Sequence, residues 1–307
     1  MKWLFCSDLH LADRLGNYRS NCLMDIAAKF DWLLRKAELE NCNAIFFGGD
    51  WVDSARQGYK VQSVLIDLIN STGIPIFSVL GQHDIHGHEH ATYKNSPVGI
   101  FDIAESYVTL LTKEETRIQD LTVSGVWFSK DAAMEVSAST SDIVIVHQSI
   151  FPDTEYRPFG STFEDIGSNH PALILAGDLH EGYGIQEPWG EGAGYLVCPG
   201  SITRTLPKQA KKHLPKYVIG VGTTPLYTDT IPHKLAAEVF DMEAYEADVA
   251  AVSKHIEDKN LFSGALKELV AKGGGSVNDF LQELSMAKSI DVQNKTKEIL
   301  EKIKHED

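Results

Sequence analysis

The chain has 307 residues, 43% of them hydrophobic and 23% charged, with 43 acidic against 28 basic side chains and a formal charge of -15. That length allows one sizeable catalytic domain with a smaller appendage, and the composition excludes a largely disordered or low-complexity chain. The acidity argues against indiscriminate binding of polyanions, although a global sum hides local fields.

In chain order, the first apolar run, Lys2 to Cys6, reads as a buried strand that turns polar too soon for a signal-peptide core. No later stretch could span a bilayer, so a soluble cytoplasmic protein is expected. Cys6, Cys22, Cys42 and Cys198 lack metal-type Cys-x-x-Cys spacing and suit a reducing compartment. An amphipathic run from Asn21 to Glu40, a strand from Ala44 to Phe47, a helical pattern from Lys60 to Asn70 and a strand from Ile74 to Leu80 set up an α/β rhythm. Buried strands at Ile143 to Val146, Leu173 to Ala176 and Tyr195 to Val197 continue it. A β-rich stretch follows from Tyr217 to about Pro232, and from Ala236 the pattern is helical, interrupted at Gly273, Gly274 and Gly275. The expected division is a catalytic domain at 1–205, a β-rich linker or capping segment at 206–240 and a helical region at 241–307.

Apolar strands run straight into histidine or carboxylate in five places: Asp8-Leu9-His10, Gly49-Asp50-Trp51-Val52-Asp53, Gly81-Gln82-His83-Asp84, His147, and Gly177-Asp178-Leu179-His180. Strand ends along one sheet edge bring distant residues together. Carboxylate and amide oxygens suit manganese or magnesium, and imidazole extends the choice toward iron and zinc. Two cations sharing one site need a bridging anion, for which Asp50 is placed, and the absence of cysteine from all five segments argues against a thiolate zinc site.

The order of these segments resembles the calcineurin-like metallophosphoesterase superfamily: Asp-x-His, Gly-Asp-x-x-Asp, Gly-Asn-His-Asp/Glu, a histidine, then Gly-His-x-His, over roughly residues 1–205. The resemblance implies a two-sheet α/β sandwich with a small C-terminal capping and helical region. It implies one metal held by Asp8, His10 and His180, a second by Gln82, His147 and Asp178, and Asp50 bridging. His83 is then the catalytic histidine beside the leaving oxygen, and the cofactors are two divalent cations, Mn2+ first and Mg2+ second. Gln82 replaces the family's asparagine and Asp178 its histidine, so both departures fall on the second metal.

Pro199-Gly200-Ser201-Ile202-Thr203-Arg204 resembles the Pro-Gly-Ser turn of SbcD-type DNA repair nucleases. It opens a stretch from Gly192 to Thr228 that has no acidic residue but carries Arg204, Lys208, Lys211, Lys212 and Lys216. Ser201, Arg204, Lys208, Lys211 and Lys212 are accordingly expected to contact DNA phosphate. Helical stripes at Phe262, Leu266, Leu269 and Val270, at Phe280, Leu281 and Leu284, and at Ile299, Leu300 and Ile303 suit either an internal core or docking of an SbcC-type SMC-like ATPase. A homodimer is left open, as is base stacking by Trp51 or Trp127. His86, His88 and His90 read as a solvated loop that could line a groove. The expected activity is that of a metal-dependent DNA exonuclease or endonuclease hydrolysing phosphodiester bonds in recombination, repair or replication. The alternatives are a phosphatase or cyclic-nucleotide phosphodiesterase on the same core, or a non-catalytic binding subunit.

Overall fold

The structure is a computed structural model and describes residues 1–103, 107–155 and 160–254, with the side chains of 102, 103, 211 and 212 outside that description. Strand β1 (Lys2–Cys6) leads through helix α1 (Leu23–Leu39), β2 (Ala44–Phe47), α2 (Tyr59–Asn70), β3 (Ile76–Ser78) and β4 (Val108–Leu110). There follow β5 (Thr116–Ile118), β6 (Leu121–Val126), α3 (Ala132–Ser137), β7 (Ile143–Val146), β8 (Leu173–Ala176), β9 (Gly184–Gln186), β10 (Tyr195–Cys198), α4 (Pro207–Lys212), β11 (Lys216–Val221) and β12 (Thr224–Thr230). They form two six-stranded sheets, ordered β12-β11-β1-β2-β3-β4 and β9-β10-β8-β7-β6-β5. In each the inner strands are parallel, and antiparallel pairs close an edge.

Period-two alternation sorts the strand residues into layers. Trp3, Phe5, Ala44 and Phe46 face Val123, Ile143, Ile145, Leu173 and Leu175 between the sheets. Leu4, Cys6, Ile45 and Phe47 face the opposite way, against α1 and α2. On α1 the buried residues Ile26, Phe30, Leu33, Leu34 and Ala37 recur at helical spacing and make the stripe that covers the first sheet. Val144, Val146, Ile174 and Ala176 pack on the outer side of the second sheet with Ala132, Ala133 and Val136 of α3. Each large side chain withdrawn from water contributes roughly 1.5–3 kcal/mol, which makes these seams the main source of stability.

The segment at 206–240 supplies more than a linker: β11 pairs antiparallel with β1 along Lys2↔Val221 to Phe5↔Val218. Gly220 lies under the Trp3 indole, where a Cβ would clash with the ring, and Trp3 Nε1 donates to Gly222 O at 2.8 Å. The chain divides into two compact units, Met1–Phe240 and Asp241–Asp307. The described part of the second is a helix at 242–254 with mostly exposed side chains. The apolar stripes from Phe262 to Ile303 lie outside the described residues. Among those described, no helix is long and apolar enough to cross a membrane.

Candidate active site

The parallel strands β1, β2, β3, β7, β8 and β10 all end at one edge, and the residues just beyond them meet there. Asp8, His10, Asp50 and Asp178 adopt left-handed backbone conformations, with φ of 59°, 46°, 56° and 71°. Non-glycine residues hold that region at a cost of about 1–3 kcal/mol each, so the surroundings must impose it. Asp8 N donates to Gly49 O at 3.0 Å and His10 N to Asp50 O at 3.0 Å, which zips the first two strand-end loops together. The buried Asp84 carboxylate ties in the third, accepting from Asp50 N at 2.9 Å, Trp51 N at 2.9 Å, Val52 N at 3.2 Å and Gly81 N at 3.0 Å. Burial and the Asp50 charge push its pKa up to about 7, against the pull of those backbone donors. A Cβ on Gly81 would overlap the Asp50 carboxylate and approach His147 Nε2 to 2.6 Å, so only glycine lets the loop after β3 come this close.

Among the described residues, three overlapping groups of side chains could each hold a metal ion: Asp8, His10 and His180; His10, Asp50 and His83; and Asp8, Asp50 and His147. Their donor atoms are close-set, with His180 Nε2 3.7 Å from Asp8 Oδ1, His10 Nε2 3.7 Å from Asp50 Oδ2 and His147 Nε2 3.3 Å from Asp50 Oδ2. Asp8 Oδ1, Asp50 Oδ2, Gln82 Oε1 and His147 Nε2 are buried yet have no hydrogen-bond partner among the described residues. Orphaned groups of this kind carry a desolvation penalty that a cation would relieve, so the donor set fits divalent metal. Asp178 also reaches the centre, with Oδ1 3.9 Å from His147 Nε2, but its oxygens are already engaged. Gln82 Nε2 donates to Oδ1 at 2.8 Å, while Ser149 N and Oγ donate to Oδ2 at 3.0 and 2.5 Å. The two residues that depart from the family pattern therefore bond each other, and Gln82 Oε1 is the atom left free.

Electrostatics follow the crowding of charge. For His147, burial opposes protonation, but Asp50, Asp8 and Asp178 together hold its pKa well above the ordinary imidazole value. His10 is raised in the same way, with burial outweighed by Asp53, Asp50 and Asp8, whereas burial leaves His180 lowered. Asp50 is held below the usual carboxylate range: burial works against that, and His147 and His10 more than offset it.

A profile of the calcineurin-like phosphoesterase family matches residues 1–182, more than half of the chain. The chain belongs to this family. Among solved structures it is similar to a dimetal phosphatase from Danio rerio, with a TM-score of 0.50 and 12% identity over 76% of this chain and 99% of that one. No curated protein matches.

In this calcineurin-like phosphoesterase, His83 enters the donor set through the group it forms with His10 and Asp50. His83 N donates to Asp50 Oδ1 at 2.9 Å, and Nδ1 lies 2.6 Å from Asp53 O. The ring crosses His10 edge-on at 4.9 Å. From His83 a cleft of about 530 Å³ runs outward, lined among others by Asp53, Arg56, Gln82, His86 and His88. Arg56 is exposed there, and its guanidinium has no ion pair among the described residues. His86 and His88 do line this groove, whereas His90 packs edge-on against Trp127.

Several sequence expectations need correction at this phosphoesterase's basic stretch. Ser201 is fully buried and Oγ donates to Thr203 O at 2.6 Å, which leaves it no face for phosphate. Arg204 is 2% exposed; its guanidinium is turned inward and donates to the backbone oxygens of Ala210 and Lys234. Lys208 is exposed on α4, and the side chains of Lys211 and Lys212 lie outside the described residues. Trp51 is core: it stacks on Phe47 at 3.9 Å and donates from Nε1 to Ser78 Oγ at 2.8 Å. Sequence reasoning gave no role to Asp53, Asp84, Ser149 or Gln209. The first two lay inside the motifs but past the ligand positions. Nothing in the sequence marked Ser149 or Gln209.

Proposed function

We propose that this calcineurin-like phosphoesterase hydrolyses phosphodiester bonds in DNA, using two divalent cations with Mn2+ as the first candidate. The observation that carries the hydrolytic reading is the set of buried, unpartnered donor atoms on Asp8, Asp50, Gln82 and His147 at one strand edge. Cations held by that set would polarise phosphoryl oxygens and lower the pKa of a water. The first would be held by Asp8, His10 and His180 and the second by Gln82, His147 and Asp178, with Asp50 shared. His83 handles the departing oxygen: its Nδ1 donates to Asp53 O, which leaves Nε2 for the proton. Replacing His83→Ala should lower turnover about 10²–10⁴-fold while Mn2+ binding persists, as read by parallel kinetics and isothermal titration.

The choice of DNA is supported by the cleft that continues past His83 and by the unpaired Arg56 along it, which suit a substrate that extends beyond one phosphate. Lys208 adds an exposed cation on the helix that also carries Gln209, a direct neighbour of His180. A phosphatase is the second reading, favoured by the description of the Danio rerio structure as a dimetal phosphatase. Linear DNA, bis-p-nitrophenyl phosphate and a phosphomonoester, each with Mn2+, separate the two: cleavage of the first two is expected, and activity on the monoester alone would refute the nuclease reading. The same reading assigns 260–307 to docking an SMC-like ATPase, tested by co-purification before and after their removal.

A further inference from the structure

Four histidines crowd the site, and two of them back onto a hydrogen-bond acceptor. His147 Nδ1 lies 2.5 Å from Gly48 O and His83 Nδ1 lies 2.6 Å from Asp53 O, whereas His10 Nδ1 is 3.4 Å from Asp53 Oδ1 and makes no hydrogen bond among the described residues. At His147, a proposed ligand, such an acceptor keeps the ring proton on Nδ1 and frees the Nε2 lone pair for a cation, the usual arrangement around metal-binding imidazoles.

His180 is backed by a donor. Its Nδ1 is 3.0 Å from Gln209 Nε2. The orientation of the Gln209 amide is set at its other end, where Oε1 receives Thr205 N at 3.1 Å, Thr205 Oγ1 at 2.8 Å and Leu206 N at 3.2 Å. Two of these are backbone N–H groups, which can only donate, so the oxygen must point toward them and the NH2 toward His180. His180 Nδ1 therefore accepts, and the ring proton rests on Nε2, 3.0 Å from His10 Nε2. His10 Nε2 is then the acceptor of that proton. The bonds run in one direction, from Gln209 through His180 to His10.

We infer that Gln209 is a positioning residue that holds His180 in the tautomer opposed to cation binding at Nε2, and so couples affinity at the Asp8, His10 and His180 set to the N-terminal cap of α4. The inference rests on the reading of His180 as a metal-binding residue. To offer the Nε2 lone pair, His180 must carry its proton on Nδ1, against an NH2. Turning the amide over relieves that clash only by aiming the NH2 at Thr205 N and Leu206 N, which then lose their acceptor. The first cation is thus held more weakly than its ligands alone would allow, and the lost affinity resides in a helix cap outside the ligand set.

A carboxylate at this position would accept at both ends, keeping the cap and supplying His180 with the kind of acceptor that His147 and His83 have. In the full chain, Gln209→Glu should raise Mn2+ affinity at the Asp8, His10 and His180 set about tenfold by isothermal titration, within the range that partners of metal ligands command. Histidine 15N spectra of the metal-free protein, with His180→Ala providing the assignment, should show Nε2–H in the wild type and Nδ1–H in Gln209→Glu. Gln209→Met, which keeps the length without a donor, should abolish the Nε2–H preference and separates hydrogen bonding from packing. Nδ1–H in the wild type would overturn the inference, as would unchanged affinity in Gln209→Glu while the wild type binds Mn2+ and cleaves phosphodiesters. Absence of Mn2+ binding in both proteins would instead overturn the metal reading and this inference with it.

Discussion

Asp84 lies just beyond the proposed ligand Gln82, and what it holds is peptide rather than metal. Four backbone N–H groups from two loops end on its carboxylate. An asparagine there would keep one acceptor oxygen and turn an NH2 toward donors, leaving at least one buried N–H without a partner. Asp84→Asn should therefore lower unfolding stability by about 3 kcal/mol in urea titrations and weaken Mn2+ binding with it, since both loops carry candidate ligands. The candidate ligands were legible because each directly follows an apolar strand, a pattern visible within a few residues. Asp84 was visible in the same motif, but its role depends on partners 32 to 34 residues away, which spacing cannot reveal. Gln209 is further from reach still, 29 residues from His180 and on a different element.

At the scale of elements, the strap at 201–204 shows how a basic stretch can be misread. Its backbone runs along the end of β1, with Ile202 N bonded to Ser7 O and Thr203 N to Asp8 O at 3.0 and 3.3 Å. Cations hold it from behind: Arg19 Nη1 donates to Arg204 O at 2.9 Å and Lys29 Nζ to Ile202 O at 3.4 Å. Sequence counts charges but cannot say which way they point, so Arg204 read as a DNA contact when it serves the interior. The crowding is costly for Lys29, whose pKa is pushed down to about 7 by burial and then by Arg19, with Asp25 opposing and Arg204 adding to the drop. The unfolded chain holds the Lys29 proton up to its ordinary pKa of 10.5, whereas the folded chain gives it up near 7. The unfolded state therefore binds more protons between those values, so this contribution to stability grows as pH rises through the window and is least favourable below it. Lys29→Met should remove that slope and at pH 7 exceed the wild type by about 1–4 kcal/mol, as compared by urea midpoints at pH 7 and 9.5.

For the whole molecule, the α/β class and the convergence of strand ends were legible from alternating apolar runs, whereas the partnering of strands was not. The site draws on strand ends of both sheets, so a cation there would bind the folded chain and not the unfolded one. Mn2+ at 100 times its dissociation constant should add about 2.7 kcal/mol and raise the melting midpoint by about 5–10 °C, reversed by EDTA, as followed by calorimetry. The sequence placed the end of the catalytic domain at 205, before the strand that flanks β1 on its second side. That pairing of Lys2–Cys6 with Lys216–Val221 imposes an order of events during synthesis. The ribosome adds about 5–20 residues per second, so one edge of β1 waits on the order of 10–40 s for its partner. Meanwhile an apolar strand bearing Trp3 and Phe5 shows open hydrogen-bonding groups to any neighbouring nascent chain. A truncation at 205 would make that wait permanent, and the expected outcome is a protein that aggregates although every proposed metal ligand is present.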